Sequence, residues 1–242
     1  MISETAATNL DRIRQNPYPG RGIILGMTAD GGKMVQVYWL TGRSENSRNR
    51  VFVEEAQGIR TQAFDPAKLT DPSLIIYWPA RRFGTVHLVT NGDQTDTLFE
   101  RMQAGESFED ALMTRQFEPD APNFTPRISG MFDAACTDGS YNLSILKSQD
   151  GDPSRCVRCF YRFDEAVPGV GHCIHTYQGD GNPLPTFAGD PYLVPVPGSA
   201  DEAAAMYWPL LDPANRVSLF ARTVDRKTGA IETRIINRHE GG

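Results

Sequence analysis

Arginine, serine and asparagine are concentrated in the ten residues from Thr41 to Arg50, which include Arg43 and Arg48. A guanidinium group can hold a phosphate or carboxylate through two parallel hydrogen bonds, and serine and asparagine side chains add neutral donors that orient a ligand. The composition therefore predicts an anion-binding loop. A solvated polar turn has the same composition, so this segment alone leaves both interpretations open.

A second polar segment, Asn91 to Asp96, lies between an apolar run and a helical pattern. The first backbone N–H groups of a helix have no partner inside the helix, so this position can receive an oxyanion. Asn91-Gly92 is also typical of a tight turn, and Thr95 or Asp96 would cap the helix without any ligand. Further along, Thr125-Pro126-Arg127 opens a predicted strand with another hydroxyl and another positive charge. Each segment by itself is compatible with a purely structural role.

Cysteine and histidine pairs at Cys156 to Cys159 and His172 to His175 have a spacing close to that of zinc-finger ligands. Residues 155–163 have strand character, however, and residues three apart on a strand point to opposite faces of a sheet. The four cysteines of the chain are too few for a disulfide scaffold in 242 residues. We therefore predict no metal site and no disulfide, and the sequence assigns these side chains no role.

The composition is that of an ordinary globular protein, with 40% hydrophobic residues, 22% charged residues and a net charge of -6 at pH 7. Proteins that bind nucleic acid or a membrane surface need a dominant positive field, which this balance does not supply. Apolar runs such as Leu74 to Tyr77 are far shorter than the roughly 20 residues that span a bilayer. The polar N-terminus is unlike a secretory signal. We expect one domain over residues 1–242, in the cytoplasm, with no nucleic-acid or membrane partner.

The elements that must position these residues are mostly strands. Apolar runs at residues 21–28 and 33–40, on either side of Ala29-Asp30-Gly31-Gly32, predict a hairpin. A last hairpin is predicted from residues 217–224 and 230–236. Further strands, bounded by turn-forming residues, are predicted at residues 50–54, 59–64, 74–78, 85–90, 127–133, 141–147, 156–163 and 172–177.

Helices are fewer and short. The helical spacing of apolar residues predicts two consecutive helices, the first ended by Gly105 and the second capped by Ser107. An alanine-rich stretch predicts a third helix at residues 199–211, with Ser199 or Asp201 as its N-cap.

Two segments are predicted without regular structure. Prolines and glycines recur through residues 179–198, which predicts a long surface loop with no ladder of strand hydrogen bonds. Residues 1–19 form a polar N-terminal extension. The sum of the elements is an α+β fold with much antiparallel strand.

Four segments occur in the order seen in archaeal-type inosine monophosphate (IMP) cyclohydrolases. They are Gly20 to Gly26, Gly42-Arg43-Ser44 with Asn49-Arg50, Asn91-Gly92 with Thr95-Asp96, and Thr125-Pro126-Arg127-Ile128. Each segment alone is weak evidence for the family, but their shared order makes the chain resemble it from Gly20 to about Asp133. The resemblance implies a four-layer αββα sandwich like that of N-terminal-nucleophile hydrolases, with mostly antiparallel sheets. It also implies a site without such a nucleophile, and Met1-Ile2 offers no Ser, Thr or Cys for that role.

The resemblance also implies a reaction. The family's substrate is a 5-formamidoimidazole-4-carboxamide ribonucleotide, whose carboxamide nitrogen attacks the formyl carbon before water leaves to give IMP, and no cofactor is implied. An amide nitrogen is a poor nucleophile, so the enzyme must press the groups together, remove a proton and stabilise a developing oxyanion. By resemblance Arg43 polarises the reacting carbonyls, Tyr77 passes a proton and Glu118 accepts one. Asp120 is the alternative to Glu118, and Tyr77 is alternatively a core aromatic.

The nucleotide site follows from the same resemblance, with Arg127 and Arg50 expected at the phosphate. Its lining residues would be Ser44, Asn49, Arg50, Asn91, Gly92, Thr95, Asp96, Thr125 and Arg127. The related enzymes suggest a homo-oligomer. The longer N-terminal lead and the extra length in the Pro/Gly-rich loop and near the cysteines depart from compact family members and would cover or reshape the site. Two alternatives stay open: a hydrolase or amidase of the same architecture acting on another nucleotide-like substrate, and a nucleotide-binding protein without catalysis.

Overall fold

The computed structural model describes residues 2–239, which form an α+β fold built mainly from antiparallel strands. The strands, in chain order, are β1 (Arg21–Met27), β2 (Lys33–Thr41), β3 (Arg50–Glu55), β4 (Gly58–Ala63), β5 (Ala80–Phe83), β6 (Val86–Thr90), β7 (Arg127–Asp133), β8 (Tyr141–Gln149), β9 (Asp152–Phe163), β10 (Val170–His175), β11 (Tyr192–Pro195), β12 (Arg216–Asp225) and β13 (Ile231–Asn237). The predicted α+β class with mostly antiparallel sheets is confirmed.

The strands form two sheets. The first has the order β11-β10-β1-β2-β12-β13, and the second has the order β3-β4-β5-β6-β7-β8-β9. Both predicted hairpins, β1-β2 and β12-β13, are confirmed, and they lie side by side because β2 also pairs with β12. The second sheet is a meander in which each strand pairs with the next along the chain.

The helices are α1 (Ile2–Arg14), α2 (Glu45–Arg48), α3 (Gln94–Gln103), α4 (Phe108–Met113) and α5 (Ala200–Tyr207). Helix α5 packs on β12 and β13 of the first sheet, whereas α3 packs on β5 and β6 of the second sheet and on α4. The predicted caps Ser107 and Ser199 are confirmed, since each side chain accepts a backbone N–H of its helix. The predicted cap of α3 is wrong: α3 begins after Asp93, so Thr95 and Asp96 lie inside its first turn. Within residues 2–239, no helix is long and apolar enough to cross a membrane.

The two sheets pack face to face, and one face of β1 points between them. Successive side chains of a strand alternate, so Arg21, Ile23 and Leu25 share this face. Leu25 reaches the second sheet, where its Cδ1 lies 2.9 Å from the place that a Cβ would take on Gly130 of β7. On the neighbouring strand β2, the ring of Tyr38 packs against Phe52 of β3 with centroids 5.7 Å apart. The space between the sheets is therefore where a polar side chain on this face is taken out of water.

The prediction of a strand at Leu74 to Trp78 is wrong. Backbone N–H groups in this segment turn back to the Pro72 carbonyl, so the chain is folded in turns. Tyr77 is nevertheless tied to the second sheet, because its N–H donates to Thr61 Oγ1 at 2.8 Å and its carbonyl accepts the Thr61 N–H at 2.9 Å. The missed strand β5 begins only at Ala80. The apolar run was mistaken for a strand because its burial comes from packing rather than from a ladder.

Two further segments contain structure that the sequence did not predict. Residues 192–195 of the predicted loop form β11, which pairs with β10 at the edge of the first sheet. The N-terminal extension contains α1, which packs against β11. The remainder of the loop, residues 179–191, runs past the rim of the site described below.

Replacing Gly22 by alanine should destabilise the protein by about 1–3 kcal/mol, as overpacking of a rigid core position does. A Cβ there would lie 1.9 Å from Cζ2 of Trp39, whose ring is fully buried. Urea unfolding of the variant and the wild type measures the difference. Gly179→Ala is the control, because a Cβ there meets no heavy atom of residues 2–239 within 4 Å. Equal stabilities for the two variants would contradict the close contact of β1 with β2.

Candidate active site

Five residues that carry polar groups are buried together between the sheets: Arg21, Tyr38, Arg50, Tyr77 and Glu118. They come from β1, β2, β3, the turns after β4 and the segment after α4. The Glu118 carboxylate and the hydroxyls of Tyr77 and Tyr38 all act electrostatically on Arg21. We call these five residues the buried cluster. It contains two of the three residues that the sequence assigned to catalysis.

Glu118 is the acid of the buried cluster. Its residue is 2% exposed, and its Oε2 lies 3.8 Å from Nη2 of Arg21. Burial raises the pKa of Glu118 to about 7, against the lowering effect of the Arg21 and Arg127 guanidinium groups. Burial also lowers the pKa of Arg21, but the Glu118 carboxylate and the nearby tyrosine hydroxyls raise it, and the net shift is upward. Glu118 can thus exchange a proton near neutral pH while Arg21 stays charged.

Asp120, the alternative to Glu118, has a different role. Its carboxylate accepts hydrogen bonds from the backbone N–H of Thr125, at 2.6 Å, and from the Thr125 hydroxyl. The Glu118 N–H donates to the Thr125 carbonyl at 2.9 Å, which closes the same turn. The turn aims Glu118 at Arg21 and ties Asp120 to its own backbone, so the geometry favours Glu118 as the acid.

The hydroxyls of Tyr77 and Tyr38 form a hydrogen bond of 2.7 Å inside the buried cluster. Burial, reinforced by Tyr77, raises the pKa of Tyr38, so its hydroxyl remains protonated. Tyr77 therefore has a second, protonated hydroxyl next to it.

Arg50 also belongs to the buried cluster. It donates through Nε to the Ser47 carbonyl at 2.8 Å, and its buried Nη1 has no hydrogen-bond partner among residues 2–239.

Arg43 lies at the rim of the site, half exposed. Its guanidinium forms an ion pair with Asp180 and donates to the Gly181 carbonyl at 3.0 Å. It also lies over the ring of Tyr18, with Cζ 5.0 Å from the centroid. Tyr18 in turn stacks on Tyr177, with centroids 5.9 Å apart, and Tyr177 acts electrostatically on Arg21. Two stacked rings thus connect the Arg43 loop to the buried cluster.

Ser44 and Asn49, both predicted in the nucleotide site, make local structural hydrogen bonds. Ser44 accepts the Ser47 N–H, and Ser47 reciprocates at the Ser44 N–H, so the two form a capping box for α2. The Asn49 side chain donates to the Asp65 carbonyl and accepts the Asp65 N–H. These contacts fix the shape of the arginine-rich loop.

The predicted residues Asn91, Thr95 and Asp96 also have protein partners. The Asn91 amide bridges to the backbone of Pro126 and Ile128, which fixes β7 against the start of α3. The Thr95 hydroxyl bonds the Thr90 hydroxyl at 2.5 Å. Asp96 forms an ion pair with Arg81 at 2.7 Å.

Gly92, Thr125 and Arg127, which the resemblance places in the nucleotide site, lie close to Glu118. A Cβ on Gly92 would lie 2.5 Å from Nη1 of Arg127 and 3.5 Å from Oε1 of Glu118, so glycine leaves these groups their space. Arg127 forms an ion pair with Asp93 at 2.6 Å, and its Nη1 also donates to the Gln94 side chain. Thr125 and Tyr177 share a hydroxyl hydrogen bond of 2.5 Å.

Three residues of the site were missed in the sequence: Arg21, Tyr38 and Tyr177. Arg21 belongs to the motif Gly20 to Gly26 but received no role. A signal was available for Arg21, because it occupies an inward position of a strand that is otherwise apolar, and a buried charge needs a partner. Tyr177 follows β10, and its placement depends on tertiary contacts that no local pattern encodes.

Cys156 and Cys159 lie on opposite faces of the second sheet, as residues three apart on a strand do. Cys156 packs against the cluster of apolar residues beneath α3 and α4, whereas Cys159 packs against the core between the sheets. All four cysteines are free thiols. Among residues 2–239, no group of three or more His, Cys, Asp or Glu side chains is placed to hold a metal ion.

Glu118→Gln should stabilise the protein by about 3 kcal/mol at pH 8 and have almost no effect at pH 4.5. The folded-state pKa of about 7 lies above the ordinary value of 4.5. The folded wild type therefore retains a proton that the unfolded chain releases, and its stability falls as pH rises from 4.5 through 7. The neutral amide does not titrate. Urea unfolding at several pH values measures this difference.

The matched control is Glu165→Gln, at an exposed glutamate. It should leave the difference from wild type small at both pH values. A Glu118→Gln variant that is less stable than wild type at pH 8 would contradict a raised pKa for Glu118.

Two comparisons with known proteins point to the same family. The model of the family described as "IMP cyclohydrolase-like protein" matches residues 18–228. The chain is 33% identical over 116 residues to a protein of Methanopyrus kandleri named IMP cyclohydrolase. That alignment covers 46% of this chain and 57% of the relative, so the match spans little more than half of the relative's length. Because the family model covers most of the chain, the protein belongs to the IMP cyclohydrolase-like family.

Proposed function

We propose that the protein is an IMP cyclohydrolase, which closes the purine ring of 5-formamidoimidazole-4-carboxamide ribonucleotide with loss of water. The observation that supports this most is the convergence of the Glu118 carboxylate and the Tyr77 hydroxyl on one buried cluster next to Arg21. Family membership and the name of the Methanopyrus relative point to the same reaction. The reaction would make the protein a hydrolase of C–N bonds in cyclic amidines, acting in purine biosynthesis without a cofactor.

Each chemical step has a group in the site. The carboxamide nitrogen forms a bond to the formyl carbon while one of its protons passes to Glu118 and the formyl oxygen takes a proton from Tyr77. The new hydroxyl then leaves as water with a proton returned from Glu118, and the former formamido nitrogen gives its proton to the Tyr77 phenolate, which completes the C=N bond and restores Tyr77. Tyr38 hydrogen-bonds to Tyr77 and positions its hydroxyl. Proton transfer by positioned groups contributes typically 10²–10⁴-fold to a rate.

Arg43 is proposed to bind and polarise the substrate's carbonyl groups. Its present partner Asp180 belongs to the loop of residues 179–191, and the ion pair is half exposed. Surface ion pairs of this kind contribute little to stability, so a bound substrate can replace Asp180 at small cost. Exchange of this contact would release the loop of residues 179–191 from Arg43 when the substrate binds.

The substrate phosphate is proposed to bind to Arg127 and Arg50. Arg127 lines an open cavity of about 330 Å³ together with Arg115 and Arg158, and the Asp93 carboxylate pairs with both Arg127 and Arg115. Arg50 has a buried N–H group without a partner among the described residues. Guanidinium groups are well suited to phosphate because they bind two oxygens in a fixed plane.

The remaining expectations belong to the same proposal. Helix α5 on the first sheet and helices α3 and α4 on the second support a four-layer αββα arrangement like that of N-terminal-nucleophile hydrolases. The proposed enzyme is a single domain, acts in the cytoplasm and assembles as a homo-oligomer.

Glu118→Gln, Tyr77→Phe and Arg43→Ala should each lower kcat for ring closure by about 10²–10⁴-fold, because each removes a proton-transfer or electrostatic group. Conversion of the formamido ribonucleotide to IMP, followed by ultraviolet absorbance, measures the rate. Arg234→Ala, at an exposed arginine on β13, is the control for Arg43. Tyr141→Phe, at a buried tyrosine hydrogen-bonded to His172, is the control for Tyr77.

Both controls should keep most of the wild-type activity. If the wild type forms no IMP, the protein is not a cyclohydrolase, and binding of IMP without turnover would favour a non-catalytic nucleotide-binding protein. Activity on a different nucleotide amide would favour another hydrolase of the same architecture.

Arg127→Gln should raise KM for the ribonucleotide by about 10-fold or more, because a charge-assisted contact to a phosphate contributes roughly 1.5–3 kcal/mol. Steady-state kinetics with the ribonucleotide and with its nucleoside separate the phosphate's contribution to KM from that of the rest of the substrate. The variant should lose its disadvantage on the nucleoside, which has no phosphate. An equal loss on both substrates would place the phosphate elsewhere.

A further inference from the structure

We propose that Arg21 is a further catalytic residue of this site: its buried guanidinium faces the Glu118 carboxylate at 3.8 Å and presents an unpaired N–H to the carbonyl oxygen of the substrate. The inference rests on the proposed ring closure and adds to it a residue that no motif assigned. Three features of Arg21 support it, namely its position, its unsatisfied N–H and its electrostatic link to Glu118.

The position follows from the strand. Arg21 is the first residue of β1 and shares the inward face of that strand with Ile23 and Leu25. Its side chain is 11% exposed, and its backbone is held because the Arg21 N–H donates to the Thr176 hydroxyl. A charged residue at this position is costly unless it is paired, so an apolar residue would be favoured if β1 served only to pack the sheets.

The guanidinium is incompletely paired. Nε of Arg21 is buried and has no hydrogen-bond partner among residues 2–239, and Nη2 is 3.8 Å from Glu118, which is longer than a hydrogen bond. An unsatisfied buried donor costs about 1–3 kcal/mol, more when it is charged. A carbonyl oxygen of a bound substrate would satisfy this donor, and it would do so most strongly as negative charge develops on the oxygen.

The electrostatic link to Glu118 is the strongest that the carboxylate has with any cation. Of the charged groups that act on Glu118, Arg21 has the largest lowering effect on its pKa, ahead of Arg127 and Arg50. The groups that face Glu118 are Arg21 from β1, Arg127 from β7, Arg50 from β3, Asp120 from the same turn and Tyr177 after β10. Burial and Asp120 raise the pKa of Glu118, and without Arg21 the weaker effects of Arg127 and Arg50 would oppose them. Glu118 would therefore hold its proton to a higher pH.

Arg21→Gln and Arg21→Lys test this role through the pH dependence of kcat/KM for ring closure. Arg21→Gln should lower kcat by about 10²–10³-fold, as loss of an oxyanion donor does. It should also move the acid limb of the profile upward by about one pH unit or more. Arg21→Lys keeps the charge but not the planar fork, so the acid limb should stay near its wild-type position while only part of kcat returns.

Arg222→Gln is the matched control. Arg222 is also buried between the sheets, on β12, where it pairs with Glu54 at 3.2 Å. Its loss should lower the midpoint of urea unfolding without moving the acid limb. If Arg21→Gln behaves like Arg222→Gln, losing stability with an unchanged acid limb and kcat, Arg21 is a structural residue and the proposal is overturned.

A second readout separates this inference from the proposed function. Carbon-13 NMR of labelled glutamate carboxyl groups follows the titration of Glu118, whose signal is assigned by its loss in Glu118→Gln. The titration midpoint should rise in Arg21→Gln whether or not the protein makes IMP, and an unchanged midpoint would overturn the link. If Arg21→Gln does not fold, Arg21→Lys decides, since wild-type kcat in that variant would contradict a role for the guanidinium fork.

Discussion

The rest of the site depends on one constraint: Arg21 and Glu118 face each other in a space between two sheets from which water is largely excluded. At 3.8 Å their attraction only partly offsets the cost of burying both charges, which is why burial still raises the pKa of Glu118 to about 7. A tighter ion pair would lower that pKa and remove the ability to exchange a proton near neutrality. The loose pairing therefore lets Glu118 exchange a proton near neutral pH.

The fold holds this pairing by bringing distant parts of the chain together. Strand β1 aims Arg21 inward through its alternation, and the turn closed by Asp120 and Thr125 aims Glu118 back at it. Thr61 of β4 fixes the backbone of Tyr77, so that the Tyr77 hydroxyl reaches the hydroxyl of Tyr38. Glu118 and Tyr77 lie in connecting segments rather than in strands, and hydrogen bonds to Thr125 and Thr61 fix their backbones. Fixed contacts thus surround the buried cluster, whereas the exchangeable contacts of Arg43 lie at the rim, where a substrate would enter.

Much of the fold was predictable because its signals are local. The hairpins β1-β2 and β12-β13 and the caps Ser107 and Ser199 follow from alternation, turn residues and side-chain chemistry within a few residues. The errors occurred where tertiary contacts decide. The run at Leu74 to Trp78 is buried by packing without a ladder, and residues 192–195 became a strand only because β10 offers a free edge.

The candidate site was predicted in part for the same reason. The resemblance predicted Tyr77 and Glu118 as catalytic residues, and both lie in the buried cluster. The roles of Arg21 and Tyr38, by contrast, depend on which face of a buried strand meets the second sheet. Likewise, hydroxyl and amide residues such as Ser44 and Asn91 look like ligand donors in sequence, although their hydrogen bonds are made within the protein. A structure of the protein with IMP is the most direct test of the account. The base is expected between the sheets, with its six-membered ring against Tyr77, Glu118 and Arg21 and its phosphate at Arg127 and Arg50. IMP bound outside the buried cluster, with these side chains untouched, would contradict it.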